Sequence, residues 1–184
     1  MTSPAAARGE AVRRRLVAAA VELIPERGWT AVSTRVLAER AGVTPSVVHY
    51  HFPSVQAVLV EAVLSAMRAV AGEFEPLVAA VGSAGELVDA MVAAVEQYTG
   101  ADPTSLLFVE AYLAATRDAG LQAGMAQVLA DLRAVISDRL RQLGVARPED
   151  TAAVLAAAVD GLLLHRAIGP QVAPNVAGVL RRLV

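Results

Sequence analysis

From about residue 10 onward one pattern dominates this chain of 184 residues: apolar side chains recur three and four positions apart, and glycines and prolines punctuate the stretches. A period near 3.6 lays one apolar stripe along a helix, whereas a half-buried strand needs strict alternation. No stretch alternates with period two over a useful length, and alanine and leucine, both strong helix formers, are abundant. The fold class that follows is all-α. A chain of this length can bury a good core, as one generous domain or as a small module joined to a larger one.

The punctuation places the helices. The spacing predicts a first helix over about 10–26, with Leu16, Ala20, Leu23 and Ile24 on one face, Gly28 as its stop, and Pro25 either kinking it or ending it early. Ser33 is placed to cap a short helix from Thr34 to Ala41, closed by Gly42. Thr44 caps a second short helix from Pro45 to about His51, with proline at the favoured first position and Pro53 as the break. Ser54 opens a longer helix to about Glu73 or beyond, and Ser83 with Glu86 reads as a capping box for a helix to about Gly100. Further helices are expected from Pro103 to about Asp118, from Leu121 to about Leu143, from Pro148 to about Ile168, and from Pro174 onward. The count is about nine, three in an N-terminal helix-turn-helix domain over 8–53 and six in a helical bundle over 54–184.

Charge is uneven. Residues 1–54 carry seven arginines against four acids, and the remainder nine against fourteen; lysine is absent. A basic front end on an acidic protein suits a polyanion-binding module. The two short helices joined by Ala-Gly-Val-Thr form a helix-turn-helix, in which Ala41 and Gly42 allow close approach and Val43 plugs the space beneath. Val48 and Phe52 share a face with Val43 and point inward. The opposite side offers Pro45, Ser46, Val47, Tyr50 and His51 to a major groove. Within the run Arg13-Arg14-Arg15, Arg14 is the residue assigned to phosphate, with Arg35 in the first turn of the second helix; a solvated face is the plainer alternative for part of the run.

The stretch GWTAVSTRVLAERAGVTPSVVHYHFPSVQAVL resembles the signature of the tetracycline-repressor (TetR) family of bacterial transcriptional regulators. The resemblance rests on Gly28, Trp29, Ser33, Leu37, Ala38, Ala41, Gly42, Val43, Thr44, His51 and Phe52. It implies a sequence-specific regulator, a repressor by family habit, that binds a palindromic operator in double-stranded DNA as a homodimer. DNA contacts are then expected from Arg14, Ser33, Thr34, Arg35, Thr44, Pro45, Ser46, Val47, His49, Tyr50 and His51. Three positions depart from the pattern: His49 stands where the family usually has Tyr, Val47 where a small polar residue is common, and Val55 where a Lys usually opens the fourth helix. Val47 can touch a thymine methyl but cannot hydrogen-bond a base edge.

The same resemblance implies a small-molecule effector site and a dimer surface in the bundle. The helix over 148–168 is apolar or small nearly all round, as a central or shared helix must be. With the last helix it supplies the expected dimer residues Leu155, Val159, Leu162, Leu163, His165, Val176, Val179, Leu180 and Leu183. Methionines and aromatics that suit an adaptable apolar pocket are Met67, Phe74, Met91, Tyr98, Phe108, Tyr112 and Met125, although each is equally suited to plain core. By family logic the effector shifts the fourth helix and changes the separation of the two recognition helices.

Other classes have little to stand on. His49 and His51, two apart, face different sides of a helix and cannot share a metal; His165 has only Asp160 near it in sequence. No phosphate-cradling glycine loop or nucleophile elbow appears, so neither catalysis, a metal nor a cofactor is expected. With no cysteine, disulfides and thiolate metal sites are excluded. No uninterrupted apolar run approaches the roughly 18 residues of a membrane span, and residues 1–15 lack a secretory core, so a cytoplasmic protein without a membrane partner is expected. The competing reading is a helical interaction module whose helix-turn-helix no longer reads DNA.

Overall fold

The computed structural model describes residues 4–168 and 175–184; among them every regular element is helical. In order these are α1 (Pro4–Arg27), a 3-10 turn (Trp29–Ala31), α2 (Thr34–Ala41), α3 (Pro45–His51), α4 (Val55–Ala80), α5 (Ala84–Glu96), α6 (Pro103–Ala115), α7 (Ala119–Gln142), α8 (Pro148–Ile168), α9 (Val176–Leu180) and a closing 3-10 turn (Arg181–Leu183). The expected all-α class is observed. The chain divides into two compact units, one of residues 1–66 with 106–122, the other of 67–105 with 123–184.

The first unit contains α1 to α3, the start of α4 and most of α6. Its core includes the α1 stripe foreseen from periodicity, Leu16, Ala20, Leu23 and Ile24, each at most 1% exposed. Leu37, Ala38, Val48, Phe52, Leu59 and Val63 are buried there too, together with Leu107 and Ala111 from α6. The second unit gathers α5, α8, α9 and most of α7 around Val78, Leu87, Val88, Met91, Ile136, Leu140, Ala152, Leu155 and Leu180.

Capping sets the element ends. Ser33 accepts from the Val36 N–H, and α2 closes at Gly42 in the left-handed conformation (φ 64°), with Val43 N–H reaching back to the Ala38 carbonyl at 3.0 Å. Ser54 caps α4 by accepting from Ala57, and Ser83 caps α5 by accepting from Glu86. The returning Glu86 carboxylate bonds Gly82 N–H at 2.7 Å, one residue earlier than the usual box. Several ends differ from expectation. α1 starts at Pro4, since proline is tolerated in a first turn and three alanines follow, and it runs past Pro25 to Arg27 because that proline disturbs only the last turn. α6 stops at Ala115 because Asp118 caps α7, accepting from Leu121 N–H at 2.9 Å. The expected start at Pro174 lies outside the described residues.

By length and mean hydropathy α4 and α8 each contain a window apolar enough to cross a membrane, although charged residues such as Glu61 and Asp160 interrupt both, so neither is an uninterrupted apolar run. In α4 that length serves the fold: Val58, Leu59, Ala62 and Val63 are fully buried.

Candidate nucleic-acid interface

Helix α3, the expected recognition helix, is pinned from beneath. Val48 is 0% exposed and Phe52 3%, so the face opposite them must turn outward. On that outer side Pro45, Ser46 and His49 are exposed, Tyr50 is 84% exposed, and Val47 and His51 are half-buried. Such exposure for a tyrosine leaves its ring and hydroxyl free for a base edge or a phosphate. Tyr50 packs edge-on against His51, with ring centroids 5.0 Å apart. Thr44 occupies the N-cap position of α3 without capping it through its side chain. Its hydroxyl instead shares a 2.8 Å hydrogen bond with Ser46. Ser33 and Arg35 are exposed and Thr34 half-buried at the start of α2.

The three arginines of α1 separate by role. The Arg13 guanidinium donates to the Glu61 carboxylate (Nε to Oε1, 3.1 Å) and to the His51 carbonyl (3.1 Å), and lies 4.1 Å over the Phe52 ring. It therefore ties α1 to the end of α3 and to α4. Arg15 donates to the carbonyls of Ala41 and Gly42, satisfying the C-terminal end of α2 at the turn. Arg14 is exposed, with Glu10 no nearer than 3.9 Å. Arg14 and Arg15 are both exposed, but Arg15 is spent on the carbonyls at the end of α2, whereas Arg14 has only the distant Glu10 carboxylate beside it.

Two further clamps escaped sequence reasoning. Arg40 bridges Glu22 and Glu26 at 2.6–3.0 Å, fixing α2 on α1, and its side chain holds the Glu26 carboxyl below the usual range. Trp29 is buried, with its indole N–H donating to Gln56 Oε1 at 2.9 Å and its backbone N–H to Glu110 Oε2 at 2.8 Å. Both are long-range in sequence, so no local spacing announces them.

A family model described as "Bacterial regulatory proteins, tetR family" matches residues 16–62, and one described as "Tetracyclin repressor-like, C-terminal domain" matches residues 82–184. The chain belongs to the tetracycline repressor family. The TetR fold is repeated across solved structures. SCO7518 from Streptomyces coelicolor A3(2), a candidate transcriptional regulator, is 26% identical with a TM-score of 0.78, covering 93% of this chain and 94% of that one. The multidrug binding protein EbrR, complexed with imidazole, is 26% identical with a TM-score of 0.72 and 94% coverage of both chains. GusR of Salmonella enterica, at 21% identity and a TM-score of 0.76, covers 100% of this chain and 95% of its own, a likeness of fold. No curated protein matches.

The other expected TetR sites fall as follows. Met91 fills the core of the second unit with Phe74 packed against it; Met125 is buried, and Met67 and Tyr98 are half-buried in that unit. Burial, then the charges of Glu73 and Asp102, push the Tyr98 hydroxyl above its ordinary pKa. Phe108, half-buried, and Tyr112, 42% exposed, belong to the first unit. Among the dimer candidates, Leu155 and Leu180 are consumed by the core of their own unit, with Val159 and Val176 packed against it, so the first two have no surface to offer a partner. Leu162 and Leu163 are half-buried, His165 is exposed, and Val179 and Leu183 are 54% and 47% exposed.

Proposed function

We propose that this transcriptional regulator binds a palindromic operator as a homodimer, acts as a repressor, and is released by a small-molecule effector. The observation that carries the DNA-binding reading is the recognition helix, anchored by fully buried Val48 while Tyr50 stands 84% exposed among Pro45, Ser46 and His49. Arg14, Ser33, Thr34 and Arg35 flank it as phosphate contacts, and Thr44, Val47 and His51 complete the reading surface. The dimer reading is supported by large apolar side chains left on the surface near the end of the chain. Val154, Leu164 and Ile168 on α8 are 52%, 43% and 87% exposed, and Val179 on α9 is 54% exposed. Apolar surface of that kind on α-helices suits a four-helix contact across a two-fold axis.

The effector reading draws support from EbrR, a multidrug binding protein complexed with imidazole. Met67, Phe74, Met91, Tyr98 and Met125, all of the second unit, remain the residues proposed to meet the effector. An effector acts only if it binds two states of the protein unequally. In this reading it shifts α4 and so the separation of the two recognition helices. Selection of bound sequences from a random duplex pool tests the function. Enrichment of a palindrome whose half-sites lie about one helical turn or a small multiple apart is expected. A pool that stays random at low salt would leave an interaction module as the better reading.

A further inference from the structure

Trp29 opens the 3-10 turn that leads into α2, so its backbone N–H is one of the donors a helical start leaves without an internal partner. That donor is taken by Glu110 of α6, at 2.8 Å. The same carboxylate packs on Gly28, where a Cβ would lie 3.6 and 3.7 Å from its two oxygens. Across the residue, the indole N–H is held by Gln56 of α4 at 2.9 Å, and the ring is 8% exposed. Trp29 is thus fastened through its backbone to α6 and through its ring to α4. Glu110 lies within the span matched by the C-terminal family model, yet residues 106–122 pack in one compact unit with the helix-turn-helix.

We infer that Glu110 is a positioning residue for DNA binding: its carboxylate sets where the helix-turn-helix begins and so the seat of α2 and α3. The inference rests on the DNA-binding reading above. A charged acceptor shortens and strengthens the hydrogen bond to the Trp29 N–H. Without it the Trp29 N–H is left to water, the turn gains freedom, and a smaller fraction of molecules holds the binding geometry. Apparent affinity falls by that fraction.

The test uses the full chain, the duplex enriched above, and the variants Glu110→Ala and Glu110→Gln, assayed well below their melting temperatures. Glu110→Ala is expected to bind about five- to tenfold more weakly with an unchanged salt slope, because no phosphate contact is lost. Faster exchange of the Trp29 amide and a shifted emission of Trp29, the single tryptophan, should accompany the loss. Glu110→Gln keeps an acceptor oxygen and should bind within about twofold of the parent. Should Glu110→Ala fail to fold, Glu110→Asp, one methylene too short to reach, carries the same expectation. Full affinity in a folded Ala or Asp variant whose Trp29 amide exchanges faster would overturn the inference and leave the DNA-binding reading standing. A parent protein that enriches no duplex would overturn both.

Discussion

Arg13, Arg14 and Arg15 are identical and adjacent, and the structure gives each a different task. A helix turns 100° per residue, so neighbours cannot share a face. Replacing Arg14 with Ala should leave the melting temperature unchanged and lower the salt slope of duplex binding by about one. Replacing Arg13 removes an ion pair, a bond to the His51 carbonyl and a ring contact, though the pair is about one-third exposed and partly screened. A loss of about 1–2 kcal/mol is expected, read by urea unfolding, together with weaker duplex binding because the end of α3 is released. Gly100 sits at φ 82°, and an added Cβ would lie 2.3 Å from the Ala167 nitrogen and 2.7 Å from the Arg166 carbonyl carbon. Gly100→Ala should therefore destabilise by about 2–4 kcal/mol, visible as a lowered urea midpoint, since backbone cannot give way as a side chain can.

At the scale of the element, helix starts were legible because capping is local. Ser33, Ser54 and Ser83 each accept from an N–H three residues on, a spacing readable from the chain. Asp102 does more, accepting from the backbone N–H groups of Thr99 and Ser105 and from both hydroxyls. Partial burial pushes its carboxyl upward, but those bonds outweigh it and hold the pKa at about 2 against an ordinary 3.8. A depressed carboxylate stabilises above its unfolded pKa, and that stability is lost as pH falls through the folded value. Unfolding measured between pH 5 and about 2 should thus show a stability loss that Asp102→Asn reduces; parallel pH profiles would refute the role. On α3, Tyr50→Ala removes a side chain that is 84% exposed, so duplex affinity should fall about tenfold while the melting temperature stays put.

For the whole molecule, self-association is where the monomer's own surface speaks. Val179 and Leu183 are about half exposed, so Val179→Glu with Leu183→Glu burdens the single chain little. Placed in a dimer contact, two carboxylates per protomer would face an apolar partner, and burial of unpaired charge is strongly unfavourable. Sedimentation should show the variant shifted to monomer at concentrations where the parent is dimeric, with duplex binding weakened in step. A dimer unaltered by both charges would move the interface elsewhere.

Periodicity, caps and a local signature were enough to establish the helices, the helix-turn-helix and the membership of the family. All of these depend on residues within a few turns of one another. The inward set of the turn, Val48 and Phe52, could be named for the same reason. Tertiary structure alone decided which α1 arginines are spent on other helices, that Arg40 clamps Glu22 and Glu26, and that Leu155 and Leu180 belong to their own core. It also decided that Glu110 of α6, 81 positions beyond Trp29, accepts from the Trp29 N–H at the turn leading into α2. A side chain's partner across such a distance depends on how the chain returns, and no spacing along the sequence encodes that path.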